Sequence, residues 1–284
     1  MTSGARTKLA VLGSPIAHSL SPALHRAAYQ TLSLPWSYQS IELTGDGLAD
    51  FLDTRTEEWR GLSLTMPLKR DVIPLLDSVD ELAELTGAAN TVLFDSAGNV
   101  ESTSRGFNTD VYGITHSFAQ HGVTKLTDVV VLGGGATAMS ALVAVARLGA
   151  QQVDFWVRSP LKAFSLIALG ARIGVAVSTR SLIDAVESPH QPDAVISTLP
   201  NGSVVDFVFS ETLRKTAPLF DVAYDPWPTP LAASWLEVGG TVIPGIDMLV
   251  NQALIQVRIF VAGSPTIQLP GEERVLAAMR SSLA

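Results

Sequence analysis

The stretch Asp128–Gly149, DVVVLGGGATAMSALVAVARLG, decides the fold. It opens on an uncharged β-branched run, Val129-Val130-Val131-Leu132, of the kind found in a parallel strand buried on both faces. Gly133, Gly134 and Gly135 follow, and three glycines in a row mark a turn that needs no Cβ. From Ala136 to Leu148 the residues are good helix formers. Gly133, Gly135 and Ala138 fit G-x-G-x-x-G/A, the dinucleotide fingerprint. The first glycine makes the turn, the second admits a pyrophosphate against the backbone, and the small third residue lets the helix pack on the strand. The helix N-terminus then offers unpaired N–H groups and a partial positive charge to the phosphates. A ligand-free strand–turn–helix is the competing interpretation, but the three parts in register favour a nucleotide.

The chain has 284 residues, enough for two domains, or one large one, with a sizeable core. Apolar residues make up 47% and charged residues 16%, which is a globular composition rather than a disordered one. A net charge of −8 argues against a broad nucleic-acid surface but leaves room for a local basic phosphate pocket. With no cysteine there is no disulfide, thiolate chemistry or zinc–sulfur site, and the five histidines form no ligand-spaced cluster, so no metal is expected. The apolar window Val129–Ala146 approaches membrane-span length, yet its glycines, Thr137 and Ser140 fit strand plus helix better. A soluble cytoplasmic protein is expected.

Strand and helix alternate on both sides of the glycine turn. Before it, strands are predicted at Lys8–Leu12, Trp36–Leu43, Gly61–Leu64 and Thr91–Phe94, the last paired with Val100–Thr103 around a turn at 96–99. Helices are predicted over 22–32, Leu48–Thr56 and Val79–Leu85, with Ser21 as an N-cap before Pro22. After the turn come the strand Val153–Val157, helix Leu161–Leu169, strand Gly174–Val177, helix Leu182–Val186 and strands Ala194–Ser197 and Leu219–Val222. Helices at Thr229–Val238, Met248–Ala262 and Glu272–Ser282 complete the pattern. The fold class is α/β with two lobes: an N-terminal α/β substrate domain and a Rossmann-type dinucleotide-binding domain, with a cleft between them. The C-terminal helices are expected to rejoin the first lobe. That gives a discontinuous domain of 1–110 plus 246–284 and a nucleotide domain of 111–245.

In this fold the residue just past the second strand meets the adenosine ribose. A carboxylate there selects a free 2′-hydroxyl and an arginine accepts a 2′-phosphate. Here the strand ends in Val157-Arg158-Ser159, with Lys162 one helical turn later, which favours NADP over NAD. Asp154 competes as the ribose carboxylate on spacing, but it lies too early in its strand.

Six polar clusters fall at predicted strand ends and loops. His18-Ser19-Leu20-Ser21-Pro22 places two hydroxyls beside a helix N-terminus, a cradle for a carboxylate. In Leu64-Thr65-Met66-Pro67-Leu68-Lys69 the lysine follows a strand-ending proline turn and can exchange a proton with a bound hydroxyl. Gly106-Phe107-Asn108-Thr109-Asp110 puts a carboxylate in the first turn of a helix, able to pair with Lys69 as an acid–base couple. Gly87-Ala88-Ala89-Asn90-Thr91 sets an amide at a strand entrance, Asp221–Leu231 carries Tyr224 among prolines, and Gly245–Ala253 interrupts an apolar helix with Gln252. Each has a bland structural alternative, such as a cap, an exposed lysine or a satisfied amide. Their joint presence is what calls for a site.

Taken together, LGSPIAHSLSPALH, GLSLTMPLK, GAANTV, GFNTD, LGGGA, the TP of DPWPTPL and GIDMLVNQA give the chain a resemblance to the shikimate dehydrogenase family over nearly its whole length. The resemblance implies NADP-dependent reversible reduction of 3-dehydroshikimate to shikimate, in aromatic amino acid biosynthesis. It implies that Ser19, Ser21 and Tyr224 bind the substrate carboxylate and that Thr65, Asn90 and Gln252 bind ring hydroxyls. Lys69 and Asp110 would be the catalytic pair. Gly133, Gly134, Gly135, Ala136 and Thr137 would hold the pyrophosphate, Val157, Arg158, Ser159 and Lys162 would surround the adenosine phosphate, and Val222 and Gly245 would line the nicotinamide pocket. Two departures stand out: Ser63 and Val157 each occupy a position where the family usually has asparagine. The rival interpretations are an NAD-dependent quinate/shikimate dehydrogenase, an enzyme for an amino analogue of shikimate, and a non-catalytic nucleotide-binding regulatory paralogue. The partner is a small molecule rather than nucleic acid or membrane, and a homodimer is allowed.

Overall fold

The computed structural model describes residues 7–95, 103–182, 191–203, 205 and 207–283. The chain divides into two compact units, 1–109 with 252–284 and 110–251.

The first unit carries β1 (Lys8–Gly13), α1 (Ser21–Thr31), β2 (Ser37–Glu42), α2 (Leu48–Asp53), β3 (Trp59–Leu64), α3 (Leu68–Asp71), β4 (Ser78–Val79), α4 (Glu81–Thr86), β5 (Thr91–Asp95) and β6 (Thr103–Phe107). Its sheet runs β2-β1-β3-β5-β6-β4, parallel across β2, β1 and β3 and antiparallel from β3 to β5 and from β5 to β6. Leu12, Leu62, Leu64, Val92 and Phe94 from this sheet pack with Leu48 and Leu52 of α2 and Leu68 of α3. Those inward side chains are why the alternating strands settle in this register.

The second unit holds α5 (Asp110–Gln120), β7 (Asp128–Leu132), α6 (Ala136–Arg147), β8 (Gln152–Val157), α7 (Phe164–Ile173), β9 (Ala176–Ser181), β10 (Ala194–Ser197), α8 (Glu211–Thr216), β11 (Leu219–Asp221), α9 (Pro230–Leu236) and β12 (Val242–Pro244). All pairings in its sheet are parallel and the order is β12-β11-β10-β7-β8-β9. Numbered within the unit, that is the Rossmann order 3-2-1-4-5-6, and strand order reverses between β7 and β10. The buried run Val129–Leu132 is the sheet's centre, as its lack of any charge requires. α10 (Gly245–Ala262) begins in this unit and ends in the first, where α11 (Glu272–Ser281) packs on α1.

Several local expectations are corrected. The partner of β5 is Thr103–Phe107 rather than Val100–Thr103; the expected turn at 96–99 and residues 100–102 lie outside the described residues. Ser21 is not an N-cap: it is the first residue of α1, Leu20 holds the cap position, and no side chain caps the helix. The third strand of the nucleotide sheet runs to Ser181, past the expected Val177. Of the expected helix Leu182–Val186, residues 183–186 lie outside the described residues, and Leu182 is a turn. The window Val129–Ala146 splits into β7 and α6. Among the described residues, one helix, Gly245–Ala262, is long and apolar enough to cross a membrane, and 67% of it is buried inside the protein, as in a core helix.

Candidate active site

In the first unit the ends of β1 and β3 are clamped together. Thr65 N–H donates to the Leu12 carbonyl at 2.9 Å and Ser14 N–H donates to the Met66 carbonyl at 2.9 Å. The loop carrying Ser19 therefore leaves the sheet beside the turn carrying Thr65 and Lys69, at the carboxyl ends of two neighbouring parallel strands. Binding loops of open α/β sheets occupy that location. Ser19 Oγ accepts from the Ser21 N–H at 3.4 Å, which sets the two serines together at the entrance of α1.

Asn90 joins the same edge through its backbone. Leu64 N–H donates to its carbonyl and Ala89 N–H donates to the carbonyl of Lys69, both at 2.8 Å. Its side chain is fixed: Oδ1 accepts from Thr109 N–H and from the Thr91 hydroxyl, each at 2.9 Å. Its Nδ2 donates to Thr109 Oγ1 at 2.9 Å and to Gln252 Oε1 at 3.3 Å. The structure thus brings Asn90 and Gln252 together, 162 residues apart in sequence, with Thr109 between them. Asn108 turns away, donating to Thr86 Oγ1 at 2.8 Å and to the Ala88 carbonyl at 3.1 Å, a structural role. Lys69 is half-buried in α3.

In the second unit Gly133, Gly134 and Gly135 link β7 to α6 at the sheet's switch point. Gly133 has φ +104°, and a Cβ there would lie 2.6 Å from Thr198 Oγ1, so glycine is required on two counts. Gly135 is the N-cap of α6, with no side chain capping it and no acidic residue in the first turn. A Cβ on Gly135 would meet nothing within 4 Å, so this helix entrance is open and suits a pyrophosphate. Thr137 lies half-buried in the first turn of α6.

Beyond β8, Arg158 and Ser159 are exposed and the turn Pro160–Lys162 follows; the side chain of Lys162 lies outside the described residues. Val157 does not face outward with them. It is buried beneath the glycine turn, where its Cγ1 would lie 3.2 Å from a Cβ on Gly134. Asp154 is committed elsewhere: it is buried within β8, accepts from Trp156 Nε1 at 2.9 Å and Ser178 Oγ at 2.8 Å, and pairs with Arg180 at 2.6 Å. These bonds engage Asp154 within the sheet.

Val222 and Gly245 meet: a Cβ on Gly245 would lie 2.1 Å from the Val222 carbonyl oxygen, so this approach demands glycine. Tyr224 is half-buried, and burial together with Asp225 holds its phenol above the ordinary range, so it stays a hydrogen-bond donor. Asp110 opens α5, immediately after Thr109. Asn251 donates to Ser117 Oγ and Gln120 Oε1, both at 3.1 Å, and so serves packing within this unit.

Sequence reasoning missed Thr198. Thr198 donates through Oγ1 to the Leu132 carbonyl at 2.8 Å and forms the wall against Gly133. Its signal is the polar pair Ser197-Thr198 leaving a buried strand. Among the described residues, no group of three His, Cys, Asp or Glu comes together as a metal site.

The parallel sheet with its open glycine turn, together with the polar cluster of Asn90, Thr109 and Gln252 in the other unit, defines a two-unit α/β protein of the dinucleotide-dependent class. Comparison with known proteins narrows this. A family model described as the shikimate dehydrogenase substrate binding domain matches residues 11–92. The crystal structure of Mycobacterium tuberculosis shikimate dehydrogenase is 36% identical, covers 97% of this chain and 99% of that one, and has a TM-score of 0.81. A shikimate 5-dehydrogenase from Mycobacterium fortuitum is 38% identical over 98% of this chain and 97% of that one, with a TM-score of 0.77. The Thermus thermophilus shikimate 5-dehydrogenase, in complex with NADP(H) and shikimate, is 29% identical over 97% of this chain and 99% of that one, with a TM-score of 0.76. The pentafunctional AROM polypeptide of Clavispora lusitaniae is 31% identical over 92% of this chain, which spans only 18% of that polypeptide's length. The chain belongs to the shikimate dehydrogenase family.

Proposed function

We propose that this protein catalyses the reversible, NADP-dependent reduction of 3-dehydroshikimate to shikimate, with unit 1 as the substrate domain and unit 2 as the nucleotide domain. The observation that carries the proposal is the open Gly133–Gly135 turn at the switch point of a fully parallel sheet, in a chain of this family. NADPH bound there supplies a hydride to the ring ketone carbon. Gly133 to Thr137 hold its pyrophosphate through backbone N–H groups, and Arg158 and Lys162 take the 2′-phosphate. Val222 and Gly245 line the nicotinamide end.

Ser19, Ser21 and Tyr224 donate to the substrate carboxylate, while Thr65, Asn90 and Gln252 bind its ring hydroxyls. Lys69, oriented by Asp110, gives its Nζ proton to the carbonyl oxygen as that oxygen gains negative charge. Hydride on carbon and proton on oxygen complete the alcohol. In the reverse direction the same amine takes the hydroxyl proton. A cytoplasmic location and a small-molecule partner belong to the same proposal. A homodimer, which the sequence allows, is checked by sedimentation.

The test is initial rates with shikimate and quinate, each with NADP and NAD. Shikimate with NADP is expected to be the fastest pair. Preference for NAD or quinate would overturn the assignment, and no turnover with any pair would point to the non-catalytic paralogue.

A further inference from the structure

The amide of Asn90 has two faces of opposite polarity, and a half-turn about its terminal bond would exchange them. Behind it lies a buried chain of hydrogen bonds that runs in one direction. Tyr29 donates through its hydroxyl to His25 Nδ1 at 3.0 Å, and His25 Nε2–H donates to Gln256 Oε1 at 3.1 Å. Tyr38 donates to Ser63 Oγ at 2.7 Å, and Ser63 donates to the same Gln256 oxygen at 2.9 Å. With its oxygen so engaged, Gln256 presents Nε2–H to the Asn90 carbonyl and to Thr91 Oγ1, both at 3.1 Å. Thr91, accepting there, spends its one proton on Asn90 Oδ1.

Every donor has its acceptor, and reversing any one link would set two donors or two acceptors face to face. His25 is held neutral, since burial pushes it down to about 3, and its ring stacks on Tyr38 with centroids 4.0 Å apart. Apart from Asn90, none of these groups lies among the residues assigned to substrate. A core serving packing alone would do as well with apolar side chains.

We infer that His25, Ser63 and Gln256 are positioning residues that, acting through Thr91 and alongside the Thr109 N–H on Asn90 Oδ1, hold the face of the Asn90 amide that donates toward Gln252, and through that pair set recognition of the ring hydroxyls. This rests on the proposed substrate reading. Ser63 stands where the family usually has asparagine, so this chain reaches the Gln256 carbonyl with a single-proton donor that is itself polarised by Tyr38.

The test is a cycle of Gln256→Met, Asn90→Ala and the double variant. Gln256→Met is expected to raise KM for shikimate about tenfold, with KM for NADP and kcat within about threefold. The double variant should match Asn90→Ala alone, because the first change acts through Asn90. Multiplying effects, or an unchanged KM in Gln256→Met, overturn the inference. An independent arm needs no substrate. In 15N spectra the side-chain NH2 pair of Asn90, identified by its loss in Asn90→Ala, should move or exchange faster in Gln256→Met; identical signals overturn the inference. A wild-type protein inactive on shikimate would sink the proposed function, and the amide spectra would still decide the orientation claim.

Discussion

Thr229 donates its hydroxyl proton to the buried carboxylate of Asp221 at 2.6 Å, and the same oxygen accepts from the Ala232 N–H at 3.0 Å. One side chain thus caps α9 and ties down the loop bearing Tyr224. Thr229→Val keeps the shape and removes both bonds. Unfolding stability should fall by about 2–4 kcal/mol, from about 1 for the cap and about 1–3 for the stranded acceptor. Thr229→Ser should retain most of it. Urea titration of the three proteins provides the check.

Burial raises the Asp221 carboxyl above its ordinary 3.8, against bonds from Thr229, Ala223 and Ser197 that pull it down. The folded protein therefore holds this proton more tightly than the unfolded chain does. That contribution is full below 3.8 and is lost as pH rises through the folded value. Asp221→Asn should remove this loss, giving a flatter urea midpoint just above the usual aspartate range; an unchanged pH slope would refute the assignment.

For His25 the sign is opposite. The ring titrates at 6.5 when unfolded and at about 3 when folded, so its contribution is present above 6.5 and lost as pH falls between those values. The slope should reach about 1.4 kcal/mol per pH unit. His25→Phe preserves the stack on Tyr38 and should flatten the profile. Melting at several pH values in that window compares the two.

Lys69→Ala removes the proposed proton carrier. A general acid contributes about 10²–10⁴ in rate, so kcat should drop by that order while NADP affinity stays close to wild type. Steady-state rates with a separate cofactor titration test this, and wild-type turnover would refute the role.

Arg158→Leu should raise KM for NADP about 10- to 100-fold, the worth of about 1.5–3 kcal/mol for a charged hydrogen bond. Constants for NAD, which lacks the 2′-phosphate, should hardly move. Equal losses with both cofactors would place the arginine elsewhere.

What could be read from sequence was what is local. The glycine turn, β7 and α6 are contiguous and each carries its own signal, so the Rossmann unit was legible from one stretch of residues. β6 was misplaced because Thr103-Ser104-Arg105 lacks an apolar alternation; its place is set by pairing with β5. Ser21 resembled a cap because serine before proline is a common helix start. The link from His25 to Gln256 crosses 231 residues, and neither end looks unusual in its own segment. Val157, placed near the cofactor by resemblance alone, is buried at the end of β8 against the glycine turn.

α10 has a consequence for the order in which the protein is made. Unit 2 is spelled out in one continuous passage ending at Asn251, whereas unit 1 is split around it and receives its last 33 residues, 252–284, only afterwards. A growing chain can therefore complete the parallel sheet while the other sheet still waits for Gln256 and Phe260 to fill its interior. Loss of residues 252–284 would take Gln256 out of the buried polar chain of unit 1 and leave all six strands of unit 2 encoded.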